Sequence, residues 1–376
     1  NFFRKDARRM ICHRITVENF RNIAGAEVAF APGVNILSGA NAQGKTSLLE
    51  AVCLISLGRS FRGAHETDMI RFGEDYTAVS LDYSDALRPQ NISVYLSRDK
   101  RRQVEHNRGK ITRMSDMIGA FRSVIFCPEH LSLIKDGPAE RRAYLDVAIS
   151  QLRPVYLRTL QRYNQILRQR NQLIKNAFHD RKTFDETVEF WSEQLATEAA
   201  VLSKFRLWYA ELCDESVKKL FLRMTGEKEL PEIRYSSGAK QAAEACADVE
   251  ETKKRYMELL MGCHDREIAQ GATLFGAHKD DLEILLNGRP ARIYGSQGQQ
   301  RSLAIAMKMA EGEIGYIDSG EYPVLLLDDV LSELDTRRRT FLQQEMNGRQ
   351  VIMTTCEPIS MGESHIIRVS GGTFSY

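Results

Sequence analysis

Long apolar runs, paired cysteines and a dominant charge are all missing from this chain, and each absence closes off a class of function. No window approaches the ~20 apolar residues that a bilayer span requires, so no membrane role is expected. The seven cysteines (Cys12, Cys53, Cys127, Cys213, Cys246, Cys263 and Cys356) form no C-x-x-C pair. An odd, scattered set suits a reducing compartment better than a disulfide framework or a zinc site. The net charge is +2, so any nucleic-acid surface must be a local patch rather than a global field. The first residues mix Arg and Lys without an apolar h-region, which predicts no secretory signal and a cytoplasmic protein. Met10 follows a short irregular stretch, and the expectation is that residues 1–9 precede the native start. There is no repeat and no low-complexity tract. What is present, 43% hydrophobic and 27% charged residues, is an ordinary soluble composition. Its 376 residues suffice for about two domains of roughly 150 residues each.

Periodicity divides the chain in three. Ile11 to Phe30 alternates apolar and polar residues like a half-buried strand pair. Gly33 to Leu37 reads as a short buried strand. Leu48, Leu49, Val52 and Ile55 then fall at helical spacing, with Gly58 as C-cap. Residues 76–113 read as further strands, with Asn107-Arg108-Gly109 as a hairpin turn. From Pro154 the period becomes helical. Tyr156, Leu160, Tyr163, Leu167 and Ile174 form one seam, and Val188, Trp191, Leu195, Leu202, Phe205, Tyr209 and Leu212 form another. Two antiparallel helices of ~30–35 residues each are expected, about 50 Å long at ~1.5 Å per residue. Strand signals return from Leu274. The expected fold is therefore α/β: a discontinuous head, 1–125 with 266–376 (lobe I), interrupted by a helical arm, 126–265 (lobe II).

Gly39-Ala40-Asn41-Ala42-Gln43-Gly44-Lys45-Thr46 matches the phosphate-binding loop G-x-x-x-x-G-K-T, set between a strand and a helix as that motif requires. Its glycines let backbone N–H groups wrap phosphates, and the helix directs its positive end at them. Lys45 would reach the β- and γ-phosphates, and Thr46 would hold Mg²⁺. Val324 to Asp328 is an apolar strand ending in a carboxylate suited to the same Mg²⁺. Asp329, next along, is placed to orient or deprotonate an attacking water. Ser296-Gln297-Gly298-Gln299-Gln300 precedes a helical run, so a hydroxyl, a glycine backbone and a helix N-terminus make a second anion site. One chain cannot easily set both sites on the same phosphates, which predicts a head-to-tail homodimer sharing two nucleotides. The plainer reading of Ser296 is an ordinary helix cap.

Taken together, Asn19-Phe20-Arg21-Asn22, the phosphate loop, Ser296 to Gln300, Leu325-Leu326-Leu327-Asp328-Asp329 and Ser332-Glu333-Leu334-Asp335 resemble an ABC-type ATPase head of the SMC class. More narrowly the chain resembles the RecF family of bacterial recombination mediators. Ser60-Phe61-Arg62, Pro128-Glu129-His130-Leu131, Gly137 to Arg142, Leu145-Asp146 and Gly276 to Asp281 carry that likeness over nearly the whole chain from Met10. The resemblance implies an ATP-dependent dimer with weak, DNA-stimulated ATPase activity, acting in DNA repair, replication restart and SOS induction with RecO- and RecR-type partners. It implies nucleotide contacts from Gly39, Ala40, Asn41, Ala42, Gln43, Gly44, Lys45, Thr46 and Ser47, joined by Arg21 and Asn22. It adds Ser296, Gln297, Gly298 and Gln299 from the second subunit, with Ser296 on the γ-phosphate. Thr46 and Asp328 are implied as magnesium ligands and Asp329, Lys45 and Ser296 as the catalytic set. Ser332 to Asp335 matches the dimer-contact loop. Thr355 stands where many relatives place a switch histidine, and Ala277 and Lys279 stand where the family usually shows Pro and Arg. Arg59 and Arg62 resemble an arginine loop turned toward nucleotide or DNA, and salt bridges explain such arginines equally well.

For DNA, Arg98 to Arg113 holds seven basic residues, among them Arg98, Lys100, Arg101, Arg102, Arg108 and Lys110. A basic hairpin would neutralise phosphates without reading sequence. The alternative is a solvated edge hairpin whose charges discourage aggregation. The arginines of the first arm helix spread round it, as a solvated surface would. No aromatic platform for single strands stands out, so duplex or a duplex–single-strand junction is the expected partner. An ABC-type subunit for transport or defence remains the alternative. A long SMC-type tether does not, because the insertion is too short.

Overall fold

The computed structural model describes residues 8–226, 229–237, 248–356 and 364–376, so Cys246 and residues 1–7 lie outside it. It divides into two compact units: Asn1–Ser132 with Arg223–Gly226 and Arg301–Tyr376, and Leu133–Leu222 with Glu227–Gln300. The sequence boundaries need correction here. Residues 266–300, expected in the head, group with the second unit because Asp281–Leu286 pairs there with Pro231–Ser236.

The first unit begins with β1 (Ile11–Phe20) and β2 (Ile23–Ala29), the expected antiparallel pair, followed by β3 (Val34–Ser38), α1 (Lys45–Leu57) and α2 (Glu66–Met69). Then come β4 (Tyr76–Ser84), β5 (Pro89–Ser97), β6 (Gln103–His106), β7 (Gly109–Ile111) and β8 (Ser123–Phe126). Six of these strands form an antiparallel sheet in the order β2-β1-β4-β5-β6-β7. Period-2 patterning buries Ile15, Val17, Val79, Leu81, Ile92, Val94 and Leu96 on one face and leaves the other half exposed. The β6–β7 turn holds Asn107 and Arg108 at φ of 52° and 66°, the left-handed pair that a tight two-residue hairpin demands. Helix α1 is apolar nearly all round, so Leu48, Leu49, Val52, Leu54 and Ile55 are all buried. It stops at Gly58 (φ 67°), whose N–H closes on Leu54 O.

The second unit is mainly helical: α3 (Pro138–Leu152), α4 (Pro154–Asn176), α5 (Arg181–Thr225), β9 (Pro231–Ser236), α6 (Val249–Met261), α7 (His264–Gln270), β10 (Asp281–Leu286), β11 (Arg289–Pro290) and α8 (Ala291–Tyr294). Helix α9 (Gln297–Ser319) starts here and continues into the first unit. The expected antiparallel pair is α4 with α5, shown by Arg153 over Trp208, Arg162 on Glu198 and Arg170 on Ser192. The lengths differ from the expectation, at 23 and 45 residues. Helix α4 closes at Asn176, whereas α5 meets no Gly or Pro before Gly226 (φ 61°), and buried Val217, Leu220, Phe221 and Met224 extend its apolar seam beyond Leu212.

The chain then completes the first unit with β12 (Val324–Asp328), α10 (Thr336–Glu345), β13 (Val351–Thr355), β14 (His365–Ser370) and β15 (Thr373–Ser375). A second six-stranded sheet runs β15-β14-β3-β13-β12-β8, parallel throughout except for β15. Parallel strands buried on both faces read as continuous apolar runs, as Leu325 to Leu327 and Val351 to Met353 do. Parallel pairing also brings the carboxyl ends of β3, β13, β12 and β8 to one edge, the place where such sheets bind ligands.

Candidate nucleotide site

The loop between β3 and α1 needs both its glycines. A Cβ on Gly39 would lie 2.2 Å from Val369 O, and Gly44 sits at φ +110°. Between them the Lys45 ammonium folds over the loop, donating to Gly39 O (2.6 Å) and Ala40 O (2.8 Å). Asn22 accepts from Ser47 Oγ (2.8 Å) and donates to Ala42 O (3.1 Å), bracing the loop from the β1–β2 turn. Gln43 braces the other side by accepting from Gly371 N (2.6 Å) and, through its carbonyl, from Gly372 N (2.9 Å).

Register then delivers the carboxylates. Asp328 ends β12 opposite Thr354 of β13, and its Oδ1 accepts from Thr46 Oγ1 (2.8 Å) and Thr354 Oγ1 (2.9 Å). Burial raises the Asp328 carboxyl above its ordinary range. The two hydroxyls pull it back, and the charges of Asp329 and Glu129 push it up again. Two neighbouring ligands of an octahedral Mg²⁺ at ~2.1 Å stand about 3 Å apart, so Thr46 and Asp328 fit that ion. Among the described residues no cluster of three or more His, Cys, Asp or Glu is set to hold a metal. The remaining ligands of such an ion would be phosphate and water, as is usual for Mg²⁺. Asp329 is held at φ 50°, ψ 25°, and its N–H donates to Thr354 Oγ1 (2.9 Å). Asp tolerates that left-handed conformation better than most residues, though at some cost.

Arg21 differs from its expected place. Its Nε and Nη2 donate to both oxygens of buried Glu50 (2.9 and 2.6 Å), and Nη1 to Asp68 O (2.7 Å). All three nitrogens thus have protein partners, and Ser60 Oγ also donates to Glu50. Arg21 and Ser60 therefore anchor α1 and the loop after it. Thr355 is buried, and the residue beyond it, Cys356, faces the phosphate loop instead. Its thiol donates to Asn41 Oδ1 (2.7 Å) and lies 3.4 Å from Lys45 Nζ. No motif flagged Cys356; only its position one residue past β13 could have.

Ser296 and Gln299 form a reciprocal capping box on α9: Ser296 N–H donates to Gln299 Oε1 (2.6 Å) and Gln299 N–H to Ser296 Oγ (3.3 Å). The plain cap is therefore real, and Ser296 and Gln297 remain exposed while Gly298 is half-buried. Gln300 props the segment through Ala291 O, Arg292 O and Gly295 O, each at 3.1 Å. In the Ser332–Asp335 segment, Asp335 caps α10 by accepting from Arg338 N (3.0 Å).

The basic hairpin is not one patch. Arg102 is taken out of it, with side-chain exposure of 13%, donating to Gly58 O (2.6 Å) and pairing with Glu66. The expected phosphate contact there is corrected to a structural tie, because both terminal nitrogens of its guanidinium are engaged by the protein. Arg98, Lys100 and Arg101 lie exposed at one end of β6, Arg108 and Lys110 at the other, about 13 Å away at ~3.3 Å per residue. Lys110 stands opposite Glu105 in the ladder. On α4, Arg170 is fully buried on Glu267 and Arg162 pairs with Glu198. The Gly276–Asp281 segment is also structural. Asp280 accepts from Tyr235 and Tyr256, and Ala277 O accepts from Arg206 (2.6 Å).

No helix among the described residues is long and apolar enough to cross a membrane. Residues 11–370 match the family model described as the RecF/RecN/SMC N terminal domain. The DNA replication and repair protein RecF of Thermoanaerobacter sp. (strain X514) is 36% identical over 365 residues, covering 96% of this chain and 99% of its own length. Two solved structures of the recombination mediator protein RecF in the RecFOR pathway are similar over 98% of both chains. The one with ATPrS has a TM-score of 0.92 at 33% identity, and the one with ATP 0.90 at 32%. A phosphate loop on a parallel sheet edge, facing a strand-end aspartate, thus stands in a chain that belongs to the RecF family, with the mixed α/β ATPase head fold of RecF and SMC proteins.

Proposed function

We propose that this chain is an ATP-dependent recombination mediator that dimerises on nucleotide and binds duplex DNA or gapped and single-strand junctions. The observation that carries the reading is the pairing of Thr46 with Asp328 at 2.8 Å beneath a loop whose lysine is already folded over its carbonyls. Backbone N–H groups of Ala40 to Thr46 and the α1 N-terminus would cradle the phosphates. Lys45 would exchange Gly39 O and Ala40 O for β- and γ-phosphate oxygens. Thr46 and Asp328 would hold Mg²⁺, which when bound neutralises charge developing on the phosphates. Asp329 would orient or deprotonate the attacking water, with Asn22, Gln43 and Ser47 keeping the loop in shape. Arg21 would act on the site through Glu50 and α1 rather than on phosphate.

The Ser296 hydroxyl and the N-terminal N–H groups of α9 would meet the γ-phosphate held by a second copy, Gln297, Gly298 and Gln299 lining that contact. ATP then acts as glue and hydrolysis as release, which suits slow, DNA-stimulated turnover. The partners would be DNA, a second copy and RecO- and RecR-type mediators in the cytoplasm, serving repair, replication restart and SOS induction. Light scattering with and without magnesium-ATP tests this reading together with electrophoretic mobility of gapped and duplex DNA. Wild type should dimerise and retain DNA only with ATP. Lys45→Met should lose nucleotide binding. Ser296→Arg should keep it and stay monomeric. An ATP-bound dimer of Ser296→Arg would sink the shared site, and DNA retention indifferent to ATP would sink the cycle.

A further inference from the structure

Phe72 is 99% exposed, the most exposed large apolar side chain among the described residues. It does not dangle. Arg71 N–H donates to Asn19 O (2.8 Å), Glu74 N–H to Arg71 O (3.0 Å), and Gly73 takes φ +86° to close the turn. Arg98, the residue after β5, fastens the turn, its Nε donating to Glu74 O (2.9 Å) and its N–H to Asp75 O (3.1 Å). At the same sheet end Tyr76 and Tyr95 stack across β4 and β5, centroids 5.3 Å apart and planes 22° apart. Arg102, through Gly58 O, carries the loop bearing Arg59 and Arg62 to the 98–102 turn. Folding therefore assembles aromatic rings among cations from segments that look unrelated in the sequence.

The chemistry selects the ligand. Basic groups at this end are Arg59, Arg62, Arg71, Arg98, Lys100 and Arg101. The acidic ones are Glu18, which accepts from the Tyr76 hydroxyl, Glu66, which pairs with a seventh cation, Arg102, Asp68, which accepts from His65 N–H, and Glu74, Asp75 and Asp99, six in all. The balance stays positive. A lone phenylalanine among charges offers ~200 Å², far below the ~1,000 Å² of a specific protein interface. One ring does suffice to stack a nucleobase, with cations beside it for the phosphates. Paired bases hide their faces inside the helix, so a ring on a rigid turn reaches only an unpaired one. We infer that the Phe72 turn is a base-stacking post for unpaired nucleotides beside bound duplex, Tyr95 and Arg98 flanking it. This deepens the proposed DNA-binding role and rests on it.

Fluorescence anisotropy with magnesium-ATP tests it, using one duplex either blunt or carrying a single-strand tail with 2-aminopurine at the first unpaired position. Wild type should prefer the tailed DNA and quench the probe. Phe72→Ala should lose about tenfold in affinity for the tailed DNA and the quench, the worth of one base–aromatic stack, with blunt duplex and ATP binding unchanged. Phe72→Trp should keep both. An unchanged tail preference in Phe72→Ala overturns the stacking post and leaves the ring to a protein partner. Equal losses on blunt and tailed DNA overturn it too. If wild type binds neither DNA, the DNA-binding role itself fails and takes the post with it.

Discussion

Asp280 and Asp328 are both buried carboxylates at the edge of a sheet strand, one in each unit, and their surroundings are opposite. Asp280 is surrounded by donors from its own chain. Tyr235 and Tyr256 donate to it, and Arg206 stands 4.0 Å away while also holding Asp146. Asp328 has two hydroxyls, no paired cation among the described residues and two further carboxylates close enough to raise its proton affinity. A buried charge must be paired or must coordinate metal. The first is settled within the protein and so reads as structure; the second waits for an outside charge and so reads as function.

Substituting each aspartate tests that contrast. Asp328→Asn should lower magnesium-dependent ATP hydrolysis by about a hundredfold or more, since the ion stabilises several kcal/mol of transition-state charge. Because burial already penalises its ionised form, urea denaturation should find stability unchanged or raised. Asp280→Ala should do the reverse, costing ~1–3 kcal/mol by taking the buried acceptor from the Tyr235 and Tyr256 hydroxyls, while Arg206 keeps Asp146 and Ala277 O. ATP affinity of the folded fraction should not move. A stable Asp280→Ala with lost ATP binding would invert the assignment.

Asp329→Asn comes next. Asn accepts the left-handed backbone at least as well, so stability should hold while turnover falls by about a hundredfold, read in a single-turnover assay. Acid should then act through histidines in both units. Burial pushes His278 down to about 4 and His130 to about 3, Lys308 adding to the latter. His278 donates from Nε2 to Thr273 O (3.1 Å), so Nδ1 accepts from Tyr163 (2.6 Å) and the ring is neutral. The unfolded chain binds more protons between about 6.5 and 4 at His278, and down to about 3 at His130, so stability is full above about 6.5 and falls as pH drops through those windows. His278→Gln should flatten the decline, seen as Tm against pH. Smallest, Arg102→Ala should cost ~1 kcal/mol, mainly by taking the donor from Gly58 O, since half-exposed Glu66 regains water. Arg101→Ala should leave stability alone and reduce the salt dependence of DNA binding.

What the sequence disclosed follows the same line. The phosphate loop, Thr46, Asp328 and the antiparallel arm were legible because contiguous residues or a single period encode them. The two fates of the hairpin cations were not. Nothing local separates Arg102 from Arg101, or Arg170 from Arg168; burial by distant elements does. The Tyr76–Tyr95 stack and the Phe72 turn escaped for the same reason, since strand register brings them to one end. Helix α5 exceeds its expected length because its apolar seam persists past Leu212, through Val217, Leu220, Phe221 and Met224.

One consequence attaches to the resting place of Lys45. With its ammonium satisfied by two carbonyls of the same loop, arrival of a triphosphate is a swap of partners and not the filling of a bare charge. Each incoming oxygen must outcompete a short contact already made. A single inorganic anion should therefore bind more weakly than a chain of phosphates, which engages the helix end while it draws the side chain off its carbonyls.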